Sequence, residues 1–278
     1  MKKSLLLIAL FITTTVAFSQ KKEKVKGSKI VTIERKQIES FDALEVSDNL
    51  EIFLVKGSEN SIEVEADDNL HQAIDIVLNG STLRLSTLKD ITSYKKLSLR
   101  VTYTDTFRSI YAKNESQITA LSDLELENIT LKCIDYSKAF INAKTTNFEM
   151  QCDDKSKIEL NLKSQKTTIS LSKNANLKAL ITSTDLIFDM YQKSAATIEG
   201  DVENMKLRLD NNANFIGSKL ATNMADVTTE AYTNAAVNVK NTLTLSASAK
   251  SEVELYGDQK IIITRFEDSA VLKKKPTK

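Results

Sequence analysis

Between Ser116 and Lys273 one motif recurs: a small residue, a hydrophobe two positions later, and usually another small or apolar residue two positions after that. Anchored on the first small residue, it falls at Ser116, Ala139, Ser156, Ala175, Ala196, Ala213, Ala235, Ser251 and Ser269, with spacings of 16 to 23 residues and a mean near 19. The hydrophobes are Ile118, Ile141, Ile158, Leu177, Ile198, Phe215, Val237, Val253 and Val271, and mostly polar residues stand between. Alternation with period two marks a strand with one buried face.

A second alternating run precedes each anchor, as in Phe148/Met150/Cys152, Leu186/Phe188/Met190 and Leu243/Leu245/Ala247. Each run lies an even number of residues before its anchor, so the two strands keep one parity across the turn between them. Two short strands per repeat of about 19 residues predict an all-β chain, a parallel β-helix or β-solenoid, with right-handed coils by the usual crossover rule. The interior of so short a coil is thin. Large residues on one wall must face Ala, Ser or Gly on the other if the space is to fill at crystal-like density. The polar stretches "YSK", "DDK", "SKN", "DNN" and "YTN" read as turns. Lys273, standing where earlier repeats carry an apolar or small residue, is expected to stop the stack.

Residues 37–112 are β-rich but less regular, and residues 113–272 form the regular coils; together they are expected to make one solenoid unit. Asn79-Gly80 is a hairpin signal. "DDNLHQAI" offers a single helical turn, with His71 expected on its surface.

The chain opens with Lys2 and Lys3, an apolar stretch from Leu5 to Ala17, and Ala17-Phe18-Ser19 as a small-x-small site. This reads as a signal peptide over 1–19 and implies an exported protein, periplasmic, on the outer surface or secreted. A flexible segment is expected over 20–36 and a basic tail over 273–278. Without Lys2 and Lys3 the 38 basic residues become 36 against 37 acidic, which argues against nucleic acid as a partner. Beyond the signal, no apolar run is long enough for a membrane-spanning helix.

The stretch "FDALEVSDNLEIFLVKGSENSIEVEADDNL", with "TLRL" and "FRSIYAKNESQI" after it, resembles the head GIN domain family of auto-transporter adhesin-like proteins. The similarity runs over about residues 37 to 270 and is strongest in the first half. It implies an exported bacterial protein of β-helical fold, of a kind common in Bacteroidetes, and brings no catalytic residues with it.

Chemistry is sparse in the residues themselves. There is one histidine, no tryptophan and only six glycines, none of them in a phosphate loop, a dinucleotide fingerprint or a nucleophile elbow, so no cofactor and no metal site is expected. Right-handed β-helices include polysaccharide-cleaving enzymes that work with paired carboxylates, for which Asp67/Asp68, Asp153/Asp154 and Asp185/Asp189 are the available pairs. Each pair also has a simpler place, in a turn, a cap or an outward strand position. The favoured reading is a non-catalytic, adhesin-like module that meets a cell-surface or envelope polysaccharide or protein through an extended polar sheet. Asn142, Lys157, Glu159, Asn176, Lys178 and Asn238 are its candidate face. A purely structural envelope protein and a polysaccharide hydrolase or lyase are the alternatives. Cys133 lies six residues before Ala139 and Cys152 four before Ser156, which sets Cys133 beside Met150 and predicts two buried free thiols on a diagonal.

Overall fold

The computed structural model describes residues 22–276. The expected signal peptide lies outside the described residues. The chain begins with β1 (Lys24–Lys26), β2 (Val31–Gln37), β3 (Ala43–Val46), β4 (Glu51–Lys56) and β5 (Ser61–Asp67). A 3-10 turn over Asp68–Ala73 leads into β6 (Ile74–Asn79), β7 (Thr82–Thr87), β8 (Asp90–Thr92) and β9 (Leu97–Tyr103). Four short strands follow, β10 (Ser109–Ala112), β11 (Gln117–Ala120), β12 (Leu124–Glu125) and β13 (Asn128–Cys133). Long strands then wrap the coils: β14 (Lys138–Cys152), β15 (Lys157–Leu171), β16 (Asn176–Met190), β17 (Ala195–Leu209), β18 (Asn214–Thr229) and β19 (Asn234–Ala247). β20 (Glu252–Tyr256) and β21 (Lys260–Phe266) make the next coil, and β22 (Val271–Lys274) stacks on β20 to begin a final one.

From β13 onward every pairing is parallel, and successive coils stack with a repeat of about 19 residues into a solenoid of about nine turns. The buried rows of that stack form one continuous apolar core. The expected in-and-out alternation holds along the strands. Ile158, Leu160 and Leu162 are buried in β15 while Lys157, Glu159 and Asn161 are exposed.

Two corners bend each coil, and they treat parity differently. The first is a two-residue left-handed turn, with positive φ at Asp154/Lys155, Lys173/Asn174, Gln192/Lys193 and Asn211/Asn212. The turns also bond to one another along the stack: Lys155 N–H donates to the Lys173 carbonyl at 3.0 Å, and Asn174 N–H to the Gln192 carbonyl at 3.0 Å. Parity survives this corner, so Leu171, Ala175 and Leu177 are all buried. The second corner falls inside the long strands, near residues 163–166, and there parity reverses from the even Leu162 to the odd Thr167. Hydroxyls fill it. Ser183 Oγ lies 3.1 Å from both Ser164 and Thr167 and within 3.2 Å of the Gln165 and Asp185 carbonyl oxygens, which satisfies polar groups that the bend buries.

The structure moves several anchors by a residue or two. Amide bonds carry the corner column from Ser116 through Ser137, Ser156, Ala175, Ser194, Ala213, Thr233 and Ser251 to Ala270, not through Ala139, Ala196, Ala235 and Ser269. Most of these shifts are two residues. Such a slip leaves every side chain on its own face, so alternation could not distinguish the two registers. On the true register the coils are nearly uniform. The last anchor moves by a single residue, from Ser269 to Ala270, and that slip turns its strand over. Val271, expected inward, is 40% exposed opposite Glu252, Lys273 points outward opposite Glu254, and Lys274 takes the inward row opposite Leu255.

The N-terminal region is also more ordered than expected. Within the segment expected to be flexible, residues 22–36 carry strands: β1 pairs with β8, and all of β2 pairs antiparallel with β5. Asp67 holds this segment in place. Its carboxylate accepts N–H bonds from Lys29 at 2.8 Å, Lys95 at 3.1 Å and Lys96 at 3.0 Å. His71 is buried rather than on the surface, since β2 crosses over the 3-10 turn and brings Thr32 Oγ1 to 2.8 Å from His71 Nε2. Asn79 and Gly80 do lie at a hairpin, β6 to β7, with Gly80 at φ 60°.

Candidate functional site

Parallel in-register stacking lines outward residues into ladders about 4.8 Å apart from coil to coil. One ladder runs Lys138, Lys157, Asn176; its neighbour runs Phe140, Glu159, Lys178, Thr197; a third runs Asn142, Asn161, Leu180, Glu199. Five of the six candidate residues therefore share one outward sheet made by the first halves of β14, β15 and β16. Asn238 stands apart on β19, half-buried, with its side-chain amide donating to the Ser218 carbonyl at 3.2 Å.

The second and third ladders border a shallow, open depression of about 700 Å³. Asn142, Glu159 and Lys178 line it, whereas Lys157 and Asn176 lie outside its rim. Phe140, Asn161, Leu180 and Glu199 also line it and were not among the candidates. Leu180 is 50% exposed. Its signal was present in the sequence, because "KALI" puts a leucine on the polar parity. The depression thus combines apolar patches with amides and charges of both signs, a composition that can stack against and hydrogen-bond a polymer without transforming it.

A second concavity, about 660 Å³, opens at the N-terminal end between Asp48, Asp90, Tyr94, Glu115 and Tyr136. The Lys22 ammonium sits in it, 2.5 Å from Asp48 Oδ2 and 2.6 Å from the Thr87 carbonyl. Burial raises the Asp48 carboxyl, but Lys22 and the Thr87 N–H outweigh it and hold the group below its usual range.

The carboxylate pairs separate by environment. Asp67 is tied to backbone amides, and Asp68 bonds Ser28 Oγ at 2.5 Å. Asp153 and Asp154 flank the entry to a left-handed turn, with Lys173 Nζ 3.6 and 3.3 Å away. Burial, and then the neighbouring Asp154, push the Asp153 carboxyl up. Neither carboxylate lines either concavity. Asp185 and Asp189 lie four residues apart on β16, roughly 13 Å by strand rise, beyond the 5–9.5 Å or so at which paired glycosidase carboxylates work. Among the described residues no group of three or more His, Cys, Asp or Glu is placed to hold a metal ion.

A family profile described as "Putative auto-transporter adhesin, head GIN domain" matches residues 40–258, which covers both the irregular strands and the coils. The chain belongs to the head GIN domain family. No curated protein matches it. Among solved structures, this head GIN protein resembles a putative adhesin from Parabacteroides distasonis with a TM-score of 0.69 at 13% identity, over 90% of this chain and 100% of the other. A putative adhesin from Parabacteroides merdae gives a TM-score of 0.65 at 14% identity, over 91% and 99% of the two chains. A putative lipid binding protein from Parabacteroides distasonis gives 0.56 at 12% identity, over 91% and 97%. At these identities the likeness concerns the fold alone. Among the described residues no helix is long and apolar enough to cross a membrane.

Proposed function

We propose that this head GIN protein is a non-catalytic, exported binding module that engages a cell-surface or envelope polymer, a polysaccharide or a protein, through the sheet of β14 to β17. The observation that carries the reading is the depression itself: three candidate residues, Asn142, Glu159 and Lys178, border it together with the exposed Leu180 and the half-buried Phe140. Membership of a family described as adhesins supports the same direction. A shallow face of this kind distributes its affinity over several coils, each adding a weak contact.

The test is a glycan and matrix-protein array probed with the intact protein and with an Asn142→Ala/Glu159→Ala/Lys178→Ala/Leu180→Ala variant. Binding by the parent that falls at least tenfold in the variant, at unchanged melting temperature, is the expected result. Equal binding by both would remove the face from consideration. New reducing ends or unsaturated products from an arrayed polysaccharide, lost in Asp153→Asn, would replace the binding module with the enzyme.

A further inference from the structure

Cys133 ends β13 and Cys152 ends β14, and the parallel register sets them directly opposite each other, not on the diagonal that the sequence spacing suggested. Both side chains point into the core, at 0% and 1% exposure, and in the structure both are free thiols, as the sequence spacing led us to expect. Directly opposed residues on neighbouring parallel strands have Cα atoms about 4.8 Å apart, within the range of roughly 4.4 to 6.8 Å that a disulfide spans. Because both residues lie on the inward parity, their Cβ vectors run side by side instead of diverging, and closing the bond draws the Cβ atoms together from about 4.8 Å to the roughly 3.5–4.5 Å of a disulfide. Their row reads Ala112, Cys133, Cys152, Leu171, Met190 and Leu209. The two sulfurs are thus consecutive in an otherwise unreactive column.

We propose that Cys133 and Cys152 close into an inter-coil disulfide when the chain folds in the presence of a disulfide oxidant. One cysteine thiolate attacks the oxidant's S–S bond, forming a mixed disulfide and releasing one oxidant thiol. The second thiolate then attacks the protein sulfur of that mixed disulfide and expels the other oxidant thiol. Two cysteine thiols are oxidised to one disulfide, the oxidant is reduced to two thiols, and the cysteine protons end on those thiols. Burial dictates the order of events: an oxidant reaches the sulfurs before β13 and β14 stack, and the finished coil shields the bond from reductants. The bond joins a coil built on the 6-residue β13 to the first coil built on a 15-residue strand. It therefore clamps the junction between the irregular and regular parts of the solenoid, and it is independent of the binding face.

The test is refolding of the reduced, denatured protein in oxidised glutathione, followed by acid quench and alkylation under denaturing conditions without reductant. The expected product takes up no alkyl group and yields a cross-linked peptide pair containing residues 133 and 152. It keeps the β-sheet circular dichroism and melts several degrees above the same chain refolded in reductant, which takes up two alkyl groups. Cys133→Ser should fold alike and show no oxidant-dependent shift. Two free thiols after oxidative refolding, a glutathione left on either sulfur, or a cross-linked chain without native circular dichroism would each overturn the proposal.

Discussion

Gly27 packs so closely over Asp67 that a Cβ at position 27 would overlap the carboxylate and stand 2.8 Å from the Tyr94 Cα. The contact is a matter of space, and it lies where the N-terminal segment joins the solenoid end. Gly27→Ala should force the 27–30 loop off the carboxylate and cost about 1–3 kcal/mol, as overpacking of a tight site does. A thermal melt gives the magnitude. Limited proteolysis should show earlier cleavage near residues 22–37, and a variant as resistant as the parent would refute the packing argument.

Asp67 itself makes stability depend on acid. Burial pushes its carboxyl up, but N–H bonds from Lys96, Lys29 and Lys95 outweigh that and leave it below its ordinary value. A folded value below the unfolded one means that the contribution is complete above the unfolded carboxylate range, near pH 4, and is lost as pH falls through the folded value. Urea melts from pH 6 down to pH 2 should show this loss. Asp67→Asn should be less stable at neutral pH and lose less on acidification; an unchanged acid slope would remove Asp67 as its source.

The stacked corner turns carry backbone strain that glycine can relieve. Gln192 and Lys193 both adopt positive φ, at 51° and 62°. For a non-glycine residue this conformation costs roughly 1–2 kcal/mol, and glycine returns only part of that gain through its greater unfolded-state entropy. Lys193→Gly keeps the N–H that donates to the Asn211 carbonyl and should stabilise by about 0.5 kcal/mol. Ala196→Gly, at a buried strand position with no such strain, should destabilise. Differential scanning calorimetry on the pair checks the sign.

Tyr103 is completely buried, and its hydroxyl finds no hydrogen-bond partner among the described residues. Burial, with the Asp105 and Glu125 charges, pushes its pKa up to about 12. Its ring packs 4.9 Å from that of Phe107. Tyr103→Phe keeps the ring and removes the stranded hydroxyl, so it should be neutral or stabilising by up to about 1–3 kcal/mol. A clear loss of stability in a chemical melt would mean that the hydroxyl is satisfied in solution.

The sequence by itself determined the parity of the coil strands up to β21, the coil length and the turns between them; only at β22 did the structure reverse it. Side-chain alternation is a local property of an extended backbone and needs no partner strand to be visible. It therefore also marks Glu159, Lys178 and Asn142 as outward residues, and Leu180 as a hydrophobe on the outward parity. Register belonged to the tertiary structure, because a two-residue slip preserves every face and only backbone pairing between coils distinguishes Ser137 from Ala139 as the corner residue. One consequence followed from that choice, that Cys133 met Cys152 instead of Met150. At β22 the shift was a single residue, from Ser269 to Ala270, which reversed the strand and brought Lys274 rather than Lys273 into the inward row. His71 was hidden for the same kind of reason. Its burial depends on β2, which returns across the 3-10 turn from nearly forty residues upstream, a contact that no local pattern in "DDNLHQAI" records.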